Sequence, residues 1–104
     1  MSKRSIMTVD FELDKNACLE GFALATQAFC IGFASHLRGY ISWMQMVKES
    51  NKRLDIIAFE TMDELDGFEK IYLARPNEVS QRYFSFIDLS TIDIRKYYDK
   101  DEIW

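Results

Sequence analysis

The sequence predicts a single α+β domain over residues 1–104, a mostly antiparallel four-stranded sheet with a long helix packed on one face, in the order β-α-β-β-β-α. Three observations predict it. Met7, Val9, Phe11 and Leu13 alternate with Thr8, Asp10 and Glu12, the period of a half-buried strand. From Leu19 to Val47 apolar residues recur at three- and four-residue steps, the period of an amphipathic helix. The remainder offers three more strand-like runs separated by turn residues.

The helical stripe runs through Leu19, Phe22, Phe29, Phe33, Leu37, Tyr40, Met44 and Val47, opposite Asn16, Glu20, Gln27, Ser35, Arg38, Gln45 and Glu49. Asp14 or Asn16 is placed to cap its start. The polar stripe keeps its angle to Glu49, which favours one helix over residues 16–50. Gly39 and the capping-box pattern "SWMQ" favour a kink or a split into two. One helix of ~34 residues would measure about 51 Å, long for so small a domain. Gly21 to Leu37 carries no charge except at His36, but it falls short of the ~20 apolar residues that cross a bilayer. It is also diluted by Thr26, Gln27 and Ser35, so no membrane span is predicted.

After the helix, "RLDIIAFE" is apolar on both faces in its middle, as a central strand is. "TMDELDG" reads either as one helical turn, capped by Thr61 with Glu64 and stopped at Gly67, or as a hairpin around Asp66-Gly67. "KIYLAR" and "RYFSFIDL" read as two further strands around a turn at Pro76-Asn77, and Ser90 opens a short final helix through Tyr98.

A net charge of −4 and a pI near 4.9 argue against binding nucleic acid, which calls for a basic stripe. The opening residues alternate too soon to form a secretory signal, which predicts a cytoplasmic protein. Cys18, Cys30 and His36 match no zinc spacing and no nucleophile–base pair, "DELDG" is no calcium loop, and no phosphate-binding glycine loop is present. No metal, cofactor or catalytic residue is therefore assigned. Twelve residues along a helix would hold the two cysteines ~18 Å apart, so no disulfide is expected between them.

The acidic run is the feature that remains. Glu60, Asp63, Glu64, Asp66 and Glu69 lie within ten residues that hold no basic side chain. A second patch joins Tyr97 and Tyr98 to Asp101, Glu102 and Trp104. Acidic clusters beside aromatics suit capture of a basic protein, charge steering the encounter and rings anchoring it. The expectation is a non-enzymatic binding protein that neutralises a basic toxin or nuclease-like partner, as immunity proteins, antitoxins and phage-type inhibitors do. The alternatives are a small enzyme using strand carboxylates among Asp10, Glu12, Asp55, Glu60 and Asp88, and a homodimeric structural subunit. Gly21, Ala25, Ala28 and Gly32 form a small-residue helix edge on which two copies would meet.

Overall fold

Phe29 stands at the centre of the molecule, fully buried, with the rings of Trp43 and Tyr83 each 5.2 Å from its own. Around it the computed structural model, described over residues 4–99, arranges one antiparallel sheet and a helical layer. The elements are β1 (Ser5–Leu13), α1 (Leu19–Cys30), β2 (Tyr40–Glu49), β3 (Lys52–Phe59), α2 (Met62–Ala74), α3 (Glu78–Phe84) and β4 (Ile87–Tyr98), with a 3₁₀ turn at Ala34–His36. The sheet order is β2-β3-β1-β4, with every neighbouring pair antiparallel. The chain is thus a split βαβ arrangement repeated, the ferredoxin-like plan with the second helix broken in two. The α+β class and the four-stranded antiparallel sheet stand as the sequence predicts.

Strand β1 forms where the alternation places it. Met7, Val9, Phe11 and Leu13 are buried under the helices, while Thr8, Asp10 and Glu12 face away. Its register sets Val9 opposite Asp55 and Met7 opposite Ile57 on β3, so those residues share the helix-covered face. Near its end the β1–β4 register slips between Asp10 and Glu12, and the Thr91 hydroxyl accepts from the Glu12 amide at 2.9 Å. A side chain thereby satisfies a ladder donor at a bulge.

Five element assignments change. The helix predicted over residues 16–50 ends at Cys30, and Tyr40–Glu49 is an edge strand. Tyr40, Met44 and Val47 fit a helical period, but Gly39 has φ +83°, a left-handed turn that no helix continues. Past it, Trp43 and Gln45 pair with Ile57 and Asp55 of β3. "TMDELDG" opens α2 with the expected cap, Thr61 accepting from the Glu64 amide at 3.2 Å, but the helix runs on through Gly67. The ~1 kcal/mol cost of an internal glycine is outweighed by burial of Leu65, Phe68 and Tyr72 at helical spacing. "KIYLAR" therefore lies in α2 rather than a strand, and "RYF" belongs to α3, capped by Asn77. The predicted final helix is strand β4, whose Thr91, Ile92 and Ile94 are β-branched and suit its pairing with β1.

Because Phe29 contacts rings from β2, α2 and α3, Phe29→Ala is expected to lose about 3–5 kcal/mol of stability. Urea unfolding measures this, and a loss under ~1 kcal/mol would mean that the ring is not core.

Candidate functional site

Asp55 lies on β3, a central strand, with its side chain on the helix-covered face and no solvent exposure. A carboxylate there must find donors or lose its charge. Three elements supply them. Gln45 sits directly across from it on β2, and its Nε2 donates to Asp55 Oδ1 at 2.9 Å. The Tyr83 hydroxyl on α3 donates to Oδ2, and the Tyr72 hydroxyl on α2 donates to the same oxygen at 3.4 Å. Gln45 Nε2 also donates to the Tyr83 oxygen at 3.2 Å, which closes the network. Trp43 Nε1 is buried with no hydrogen-bond partner among the described residues, and the Trp43 indole favours the charged form of Asp55.

No cation answers this charge among the described residues. Arg53 lies two positions away on the same face, but its guanidinium bonds the Ser50 and Lys52 carbonyls at 2.8 and 3.2 Å. Burial pushes the Asp55 carboxyl up to about 6, against the opposing hydrogen bonds from Tyr83, Gln45 and Tyr72 and the indole of Trp43. Burial and then the Asp55 charge hold both tyrosines well above their ordinary range, so they act as neutral donors. The result is a carboxylic acid poised near neutrality among aromatic rings. Gln45 and Trp43, on the edge strand, are the members that remain partly exposed. Such a group can take up and release a proton at neutral pH.

The other strand carboxylates do not converge on Asp55. Asp10 and Glu12 point to the opposite sheet face, where Asp10 pairs with Lys48 at 2.9 Å beside a polar cleft of about 310 Å³. Asp88 is exposed and accepts from Ser90, and Glu60 is exposed just before α2. Asp55 was legible as a strand carboxylate, but its burial rests on tyrosines 17 and 28 residues away.

The acidic run does not form a free patch. Asp66 and Glu69 both hold Lys96 of β4, at 3.0 and 2.8 Å, which raises the Lys96 pKa. Glu64 accepts from the Thr61 hydroxyl at 3.0 Å and pairs with Arg38 at 3.6 Å, leaving Glu60 and Asp63 as exposed members without such an ion pair. Tyr97 and Tyr98 are 51% and 43% exposed but point to opposite faces of β4. Asp101, Glu102 and Trp104 lie outside the described residues. On the small-residue helix edge, Gly21 packs under the Phe86 ring and Ala25 is buried, whereas Ala28 and Gly32 face solvent. Among the described residues no helix is long and apolar enough to cross a membrane, and no cluster of metal-ligating side chains occurs.

No family model matches the chain and no curated protein is detectably similar to it in sequence. Its fold, however, is shared with solved structures over nearly the whole chain. SnoaB, a cofactor-independent oxygenase from Streptomyces nogalater, superposes with a TM-score of 0.67 at 7% identity, covering 99% of this chain and 98% of that one. The hydroxynitrile lyase from Passiflora edulis gives 0.66 at 9% identity, covering 99% of each. A candidate antibiotic-biosynthesis monooxygenase from Bacillus cereus gives 0.58 at 17% identity, covering 98% of each. At these identities the likeness is one of fold. It overturns the expectation of a non-enzymatic inhibitor, immunity protein or antitoxin, because these similar folds carry an oxygenase, a lyase and a candidate monooxygenase. Within the acidic run, Asp66 and Glu69 share Lys96 and Glu64 pairs with Arg38, so three of its five carboxylates have a partner inside the chain.

The Asp55 pKa carries a consequence for stability. Its folded value of about 6 lies above the ~3.9 of an unfolded aspartate, so the folded state binds the extra proton. Its contribution to stability is fully present below ~4 and is lost as pH rises through about 6. The loss is on the order of 2–3 kcal/mol. Asp55→Asn is expected to flatten stability between pH 4 and 7 relative to the parent, as read by urea unfolding at each pH. Equal slopes for the two proteins would refute the shift.

Proposed function

We propose that this protein is a small enzyme whose chemistry is proton transfer at Asp55. The observation that carries the reading is the buried carboxyl without a cation partner, held at about 6 and linked through Gln45 to the partly exposed edge strand β2. A base works best when its pKa lies near the working pH, because it is then both available and strong enough to accept a proton. Here desolvation sets that value, while Tyr83 and Tyr72 hold Oδ2 in place and Gln45 covers Oδ1 in the free protein.

In this reading a substrate approaches beside β2 and presents an acidic C–H or X–H to Asp55 Oδ1. The Tyr83 hydroxyl stabilises the carboxylate before transfer, and the surrounding rings exclude water, which strengthens each electrostatic contact. The shared fold with an oxygenase and a hydroxynitrile lyase supports the reading.

The test is a panel of cyanohydrins and oxidisable phenols, following aldehyde release and dioxygen uptake. Turnover should rise with pH through about 6 as Asp55 ionises. Asp55→Asn should lower it about 100-fold or more, the usual contribution of a general base. Parental turnover in Asp55→Asn would defeat the proposal, as would no turnover on any member of the panel.

A further inference from the structure

Gln45 spends both hydrogens of one amide nitrogen inside the site, at 2.9 Å to Asp55 Oδ1 and 3.2 Å to the Tyr83 oxygen. It does so from the outer strand of the sheet. Gln45 lies directly opposite Asp55 in the β2–β3 register, is only partly buried, and belongs to a strand paired on one side alone. Its side chain can therefore swing away without breaking the backbone ladder, whereas Asp55, Tyr72 and Tyr83 are fixed inside the core. The group that seals the carboxylate is also the one nearest the surface. The Trp43 ring, two residues along the same strand, lies 5.8 Å from the Tyr83 ring and nearly perpendicular to it, so flat side chains stand beside the hydroxyl that the amide meets.

We infer that the Gln45 carboxamide stands in the place of a ligand, and that the site takes a small flat molecule bearing an amide-type N–H: a carboxamide, lactam or imide. This rests on the reading of Asp55 as the reacting group and names what the group would meet. The bound molecule would offer its N–H to Asp55 Oδ1, replacing the first of the two hydrogen bonds that the Gln45 nitrogen makes now. Gln45 is then a positioning residue and an internal competitor. The free site is closed by its own side chain, and apparent affinity is reduced by the fraction of time that the amide is in place.

Succinimide is the probe, and N-methylsuccinimide, which lacks the N–H, is its control. Both would be titrated into the parent protein and into Gln45→Ala, following the Asp55 carboxyl carbon and the Gln45 side-chain amide by NMR. Succinimide should bind the parent saturably, shift the Asp55 signal and release the Gln45 amide from its hydrogen-bonded position. It should bind Gln45→Ala about tenfold more tightly or better, because the competing amide is gone. N-methylsuccinimide should do neither, which separates N–H recognition from the filling of a hole. If Gln45→Ala does not fold, the parent titration with its control decides alone. No saturable succinimide binding, or equal binding of the N-methyl compound, overturns the inference. Succinimide binding alongside full turnover in Asp55→Asn would instead sink the enzyme reading and leave the recognition site standing. Lost turnover in Asp55→Asn without succinimide binding would do the reverse.

Discussion

A single buried carboxylate organises this molecule. Placing Asp55 under the helices removes its water, and an unpaired charge in such surroundings costs far more than a small domain can spare. The structure answers with donors rather than a cation: Gln45 from β2, Tyr72 from α2 and Tyr83 from α3. The edge strand β2 and the helices α2 and α3 are thereby each pinned to one side chain. A helix that slid by one turn would lift its tyrosine from the carboxylate and leave a buried group unsatisfied, a penalty of about 1–3 kcal/mol. The compensation is incomplete, since burial still wins and holds the proton affinity high. The same shortfall weakens the fold as pH rises and leaves a group that can exchange a proton near neutrality.

The rings around that carboxylate explain how the shortfall is tolerated. Phe29 is in ring contact with Phe33, Trp43, Phe68, Tyr72, Tyr83 and Phe84, an aromatic cluster that gathers residues from α1, β2, α2 and α3. Burial of such rings is the main favourable contribution to folding, and edge-to-face pairs add specific geometry to it. Tyr72 and Tyr83 belong to both systems, their rings in the apolar cluster and their hydroxyls on Asp55.

What the sequence disclosed and what it hid follow from how local each signal is. The alternation of Met7 to Leu13 is a property of seven adjacent residues, and β1 appears as read. The Thr61–Glu64 cap is equally local and equally legible. Residues 40–49 satisfy two periods at once, and the decision between them lies in pairing with β3 and in the left-handed Gly39. Gly67 looked like a stop because an isolated glycine weakens a helix, whereas the buried stripe of Leu65, Phe68 and Tyr72 carries α2 across it. For the site, Asp55 was visible as one strand carboxylate among five, but nothing near it in sequence distinguishes it. Its donors lie 10, 17 and 28 residues away. The acidic run misled for the same reason, since Lys96 is 27 residues from Glu69 and 30 from Asp66.

The choice of Asp55 over the other strand carboxylates comes down to parity. Odd-numbered residues of β1 and β3 face the helices: Val9 and Met7 opposite Asp55 and Ile57. Even-numbered residues face the other way, and that face carries Asp10 with Lys48, together with Leu54, Ile56, Met44 and Met46. A carboxylate on the open face keeps its water and finds a lysine, as Asp10 does in Lys48. Slipping β3 by one residue would exchange the two sets, bringing Leu54 and Ile56 inward and delivering Asp55 to solvent. The register between Val9 and Asp55 is therefore the step at which an ordinary acidic side chain becomes a tuned one. That register is fixed by apolar residues: Met7, Val9, Ile57 and Phe59 are all fully or almost fully buried on the inner face. The hydrophobic pattern of two strands, rather than any polar motif, is what places the buried carboxyl.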